Sequence, residues 1–207
     1  MRVILTFEEF SKFKIRKLYA GDIVHRANKY DGFVGLSLTR DNENHIKFDI
    51  TQDFPLPENS IDVFQAEDVF EHIPYRKQAL IINRIYSILK PGGLFRLSVP
   101  DYNCDLLYKR ALYNYKGEIV FDPGGGGTLE APGHVWFPNY NNVLAIIKNT
   151  LFYQQGQVNF LHYYLNRENF VLKKIDYTKG YIARTPDHDK RVQNPVRPMS
   201  IVLDCFK

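Results

Sequence analysis

Residues 48–101 decide the fold: FDITQDFPLPENSIDVFQAEDVFEHIPYRKQALIINRIYSILKPGGLFRLSVPD. Two short β-type runs, 61–65 and 94–99, flank a helical pattern over 76–89. Leu80, Ile81, Ile85, Ile88 and Leu89 recur at three- and four-residue spacing and mark one apolar helix face. Lys90 suits the negative end of the helix dipole, and Pro91-Gly92-Gly93 stops the helix. Strand, helix and strand in one direction require a crossover. The spacing therefore predicts two parallel strands joined right-handedly.

Upstream, β-type runs fall at 15–19, 33–38 and 45–48. Downstream, helical patterns cover 104–115 and 140–151, separated by the loop GEIVFDPGGGGTLEAPGHVWFPN at 117–139. Two further β-type stretches, 170–178 and 199–206, flank a polar, proline-rich loop at 183–198. With no internal repeat and no long linker, residues 1–207 read as a single α/β domain ending in an antiparallel strand pair.

The totals narrow the classes of function. A 207-residue chain with 44% hydrophobic and 24% charged residues is globular, and no apolar run is long enough for a membrane span. The first residues lack the apolar core and cleavage site of a signal peptide, so an intracellular, cytoplasmic protein is expected. Cys104 and Cys205 offer neither a disulfide framework nor zinc spacing. Net charge is +4, and the cluster Lys12, Lys14, Arg16, Lys17 reads as a solvated edge, not a nucleic-acid surface.

Four pieces in order resemble the class I S-adenosylmethionine (SAM) dependent methyltransferases, in their small type 11-like group. They are FDITQDFPLPENSIDVF (48–64), EDVFEHI (67–73), RIYSILKPGGLFRLSVPD (84–101) and GHVWFPNYNNVLAIIKNTLF (133–152). The resemblance implies a Rossmann-like fold, with a mostly parallel central sheet, helices on both faces and an antiparallel C-terminal strand pair. It also implies SAM as cofactor and S-adenosylhomocysteine as product.

Carried onto this sequence, the resemblance places the cofactor at strand ends. Tyr19, Ala20, Gly21 and Asp22 stand where the group has Gly-x-Gly, and Ser37 stands where it has a ribose-gripping acid. Asp49 can accept from the adenine amine and Ile50 can cover the ring, although an Asp after a strand also commonly closes an Asx-turn. Gln65 and Ala66 end a strand on the methionine side. Transfer to a hydroxyl needs a base, and His134, Asp68 and Asp101 are the candidates. Glu71-His72 reads as structural, and residues 124–127, four glycines without Gly-Lys-Ser/Thr, as a lid or acceptor loop. No metal site is expected. The resemblance and the aromatic content of 14% point to a sugar, glycan or nucleotide-sugar acceptor. A small non-sugar metabolite, or a binding module without catalysis, are the alternatives.

Overall fold

The computed structural model describes residues 5–23 and 29–207. Its strands, in chain order, are β1 (Lys17–Ala20), β2 (Phe33–Ser37), β3 (His45–Lys47), β4 (Ile61–Glu67), β5 (Leu89–Pro100), β6 (Leu112–Tyr113), β7 (Ile119–Phe121), β8 (Gln157–Tyr164), β9 (Phe170–Leu172) and β10 (Ser200–Phe206). The helices are α1 (Phe7–Phe10), α2 (Gln78–Ile88), α3 (Asp105–Arg110), α4 (Tyr140–Lys148) and α5 (Leu151–Gln155).

Among the described residues, eight strands form one sheet in the order β3-β2-β1-β4-β5-β10-β8-β9. Strands β1 to β5 are parallel, and β10 runs antiparallel between β5 and β8. From β1 the chain winds outward through β2 and β3, then returns to lay β4 on the other side of β1. That reversal opens a crevice at the carboxyl ends of β1 and β4, where open α/β sheets bind ligands.

Alternation along the strands gives the sheet two different faces. Leu18, Phe64, Phe95, Leu97, Leu203 and Cys205 join α1, α2, α4 and α5 in one core cluster. Tyr19, Phe33, Val63 and Leu94 point the other way, into a smaller cluster. On that second face Val202 packs with Ile175 and Ile182 of the irregular segment before β10.

Most expected elements form close to their predicted limits, and the exceptions have local causes. The helix after β4 starts at Gln78, because Pro74 precedes a 3-10 turn, Tyr75–Lys77. Helix α2 ends at Ile88, ahead of Pro91-Gly92-Gly93, which lies inside β5, where the β4–β5 register slips between Ile61 and Val63. Lys90 reaches Asp62 at 2.6 Å. Helix α3 stops at Arg110, not 115, because the next residues pair as the β6–β7 hairpin. Of 170–178 only Phe170–Leu172 is strand, and its partner β8 is an element the sequence reading did not anticipate.

Arg96 on β5 is fully buried and faces the second side of the sheet. Its Nε and Nη2 donate to both carboxylate oxygens of Asp204, directly across on β10, each at 2.7 Å. Its Nη1 donates to the carbonyls of Asp176 (3.0 Å) and Gly180 (2.6 Å). Removing one partner of such a pair strands a charge in the interior. Asp204→Ala should therefore cost about 3–5 kcal/mol in urea unfolding. A loss below about 1 kcal/mol, the range of exposed pairs, would contradict this account.

Candidate active site

Two clefts open at the carboxyl ends of the parallel strands. The first has a volume of about 380 Å³ and is mainly apolar, with Leu36, Phe48, Ile50 and Ile73 among its walls. Gly21, Asp49, Asp68, Val69 and His72 complete its working surface. Gly21 has φ +99°, a conformation that side chains rarely adopt, so glycine at this turn has a backbone reason. Its amide donates to the Leu36 carbonyl at 2.8 Å, tying the loop after β1 to β2. Asp49 does close an Asx-turn, its Oδ1 accepting from the Thr51 amide at 2.9 Å, and it also lines the cleft beside Ile50.

The second cleft, about 510 Å³, is polar. Tyr19, Tyr30 and Tyr181 supply rings, Glu67, Asp68 and Asp189 carboxylates, and Lys29, Arg184, Lys190 and Arg191 positive charge. Tyr19 packs edge-on to Tyr30, and Tyr30 edge-on to Tyr181. Most of this wall comes from residues 181–191, which overlap the stretch 183–198 that sequence reading took as a plain loop. Its density of Arg, Lys, Asp and His was the available signal.

Asp68 lines both clefts. Its backbone is left-handed, φ +54°, uncommon for a residue with a side chain. Oδ2 pairs with Arg184 Nε at 2.9 Å, while Oδ1 is covered and has no hydrogen-bond partner. Burial raises its pKa, against the opposing pull of Arg184. Its neighbour Glu67 accepts from the amides of Ala183 (2.7 Å) and Arg184 (3.3 Å) and from the Tyr30 hydroxyl (3.1 Å). Burial and the adjacent Asp68 lift its pKa to about 7.

The remaining sequence candidates are placed differently. Ala20 and Ala66 belong to the helix-covered core and line neither cleft. Gln65 is buried and donates from Nε2 to the Tyr181 carbonyl, holding the cover of the polar cleft. Ser37 is buried too: its Oγ accepts from the amides of Thr39 (3.1 Å) and Arg40 (2.8 Å), so it closes the turn after β2. Asp22 pairs with Arg40 at 3.0 Å, linking the loops after β1 and β2. Asp101 accepts from the amides of Tyr164 (2.8 Å) and Asn103 (3.0 Å) and ties β5 to β8 beneath the surface, its pKa raised to about 6 by burial.

His134 is buried behind the first cleft, 5% exposed, and its ring meets that of His72 edge-on at 4.9 Å. Burial, with His72 adding to it, lowers its pKa to about 4, so the imidazole is neutral near neutral pH. Of the glycine tract, Gly125 is buried, and a Cβ on it would fall 2.5 Å from the His134 ring, while Gly124, Gly126 and Gly127 are exposed.

Residues 15–97 match the family described as a methyltransferase domain. By structure the chain is similar to a SAM dependent methyltransferase from Archaeoglobus fulgidus, at 13% identity and TM-score 0.53, over 97% of this chain and 90% of that one. It is also similar to a protein of Listeria monocytogenes provisionally described as a SAM dependent methyltransferase, at 12% identity and TM-score 0.53, over 92% and 89%. The fold is that of the class I methyltransferases. No curated protein matches the chain. The matched domain and the fold together support a methyltransferase with SAM as cofactor and S-adenosylhomocysteine as product.

The residues of the first cleft fit that cofactor. A half-buried glycine turn at Gly21, apolar walls at Leu36 and Ile50, and the Asp49 carboxylate suit an adenosine with a polar side chain. Among the described residues no helix is long and apolar enough to cross a membrane.

Glu67 makes stability depend on pH in a defined direction. Its folded pKa, about 7 against an ordinary 4.5, means the folded state holds the proton more tightly than the unfolded chain. This contribution is complete below the ordinary value and is lost as pH rises through about 7. The difference corresponds to roughly 3 kcal/mol at ~1.4 kcal/mol per pH unit. Urea unfolding at about pH 5 and about pH 8 should show Glu67→Gln losing less stability across that interval than the parent. Equal losses in the two proteins would remove the assignment.

Proposed function

We propose that the protein is a SAM-dependent O-methyltransferase whose acceptor is a hydroxyl of a sugar, glycan or nucleotide-sugar. The observation that carries this reading is Asp68, the residue common to the apolar and the polar cleft. When bound, the cofactor supplies a methyl group made electrophilic by a sulfonium cation. The chain supplies its seat: Gly21, Asp49 and Ile50 on one side and Asp68 at the junction.

The acceptor then occupies the polar cleft. Tyr30 and Tyr181 offer ring faces and hydroxyls of the kind that carry sugars, and Lys29, Lys190 and Arg191 at the rim suit the phosphates of a nucleotide-sugar. An alcohol is a poor nucleophile until its proton is removed. In this reading Asp68 takes that proton, a role supported by Arg184 on Oδ2 and by Oδ1 having no hydrogen-bond partner. His134 supports the cleft wall from behind His72. The free, buried Cys104 and Cys205 are in keeping with a reducing, cytoplasmic setting.

Calorimetry with S-adenosylhomocysteine should show stoichiometric binding, and labelled SAM should mark hydroxylated sugar acceptors. Asp68→Asn keeps the shape and a residue type tolerant of positive φ. It should lower kcat by about 10²–10⁴-fold while leaving S-adenosylhomocysteine affinity near that of the parent. Turnover unchanged in that variant removes Asp68 as base. Absence of S-adenosylhomocysteine binding removes the whole reading, and label found only on non-sugar acceptors removes the acceptor class.

A further inference from the structure

A chain of polar side chains runs behind the cofactor-side cleft and ends in a convergence that the reading above does not use. Arg110 holds Asp122 with two bonds of 2.6 Å. The Tyr102 hydroxyl donates its single proton to Asp122 Oδ2 at 2.6 Å. The 2.6 Å contact between Tyr102 oxygen and His134 Nδ1 must therefore use a proton on Nδ1. With the proton on Nδ1, Nε2 is the ring's lone-pair nitrogen, and that atom faces Glu71 Oε1 at 3.7 Å.

Glu71 is fully buried, and neither of its carboxylate oxygens has a hydrogen-bond partner. The gap to His134 Nε2 is too long for a shared proton to bridge as a hydrogen bond. The third member is His72, whose Nδ1 donates to the Gly133 carbonyl at 2.8 Å and so leaves Nε2 as a lone-pair donor. One donor atom from each of Glu71, His72 and His134 lies within 4.8 Å of the others. A buried acid without a hydrogen-bond partner, beside two lone-pair nitrogens, is a place that a cation would stabilise.

We propose that Glu71, His72 and His134 bind a divalent transition-metal ion of the zinc, cobalt or iron(II) type. Two imidazoles and a carboxylate are a donor set such ions take. The surroundings match as well as the donors. Metal-binding histidines have their second nitrogen held by a carbonyl or carboxylate. Here the Gly133 carbonyl holds His72, and Tyr102 with Asp122 holds His134. Metal–nitrogen bonds of about 2.0–2.1 Å require the donors, now within 4.8 Å of one another, to draw closer.

The ion would join the turn after β4, Phe70–His72, to the loop that carries Gly125 and His134. Because His72 lines the cofactor-side cleft, the ion lies at that cleft's wall. The inference is independent of the acceptor and of Asp68.

The test uses the full chain without methyl donor or acceptor, so its failure and that of the methyltransferase reading are separable. Protein stripped with a chelator is titrated with Co²⁺ alone. The expected result is uptake of one equivalent, visible d–d bands and displacement of the cobalt by Zn²⁺. His72→Ala alters an exposed side chain and should fold, as circular dichroism checks, and it should lose the bands. Glu71→Gln keeps the side-chain shape and should lose them too. No uptake by the parent protein overturns the proposal, as does uptake that persists unchanged in His72→Ala.

Discussion

The second face of the sheet depends on one guanidinium. Arg96 has five N–H donors in a rigid fork, and the fold uses them to fasten three segments at once. Two go to Asp204 on the neighbouring strand, and Nη1 serves the carbonyls of Asp176 and Gly180 in the covering segment. That segment continues into Tyr181, whose carbonyl accepts from Gln65, and into Ala183 and Arg184, whose amides hold Glu67. Arg184 then reaches Asp68. A buried charge outside the lining of either cleft thus helps to set where the polar wall stands and which way the Asp68 carboxylate points.

The first face is organised by apolar packing, and the contrast explains the two clefts. Helices α1, α2, α4 and α5 share their core with the strands, so the cleft on that side inherits apolar walls. The opposite cleft is walled by an irregular polar segment fixed through hydrogen bonds, and it inherits carboxylates, phenols and cations. Both meet at the reversal of strand order between β1 and β4, which needs only parallel strands and right-handed crossovers.

What could be read from the sequence follows from the range of each interaction. The run from β4 through α2 to β5 was legible because its apolar periods and its Pro-Gly-Gly stop are local. Gly21, Asp49 and Ile50 were placed through the order of motifs and do line one cleft together. Strand β8 was hidden because Gln157, Asn159 and His162 interrupt its apolar pattern. Ser37 and Gln65 looked available as ligand contacts, and their actual partners are a local turn and a carbonyl 116 residues away. The Glu71, His72, His134 cluster gives no spacing signal, since α2, β5, α3 and the β6–β7 hairpin lie between its halves.

The position of β10 has a consequence for how the molecule assembles. The last strand in the chain sits in the interior of the sheet, between β5 and β8. Until synthesis passes residue 206, β5 and β8 each present an unpaired edge, the kind of surface that invites pairing with another chain. Asp204 arrives with that strand, so Arg96 stays without its carboxylate until then. The polar cleft therefore takes its final shape only once β10 has docked. Chaperone dependence and aggregation during expression should track the time the chain spends before β10 docks.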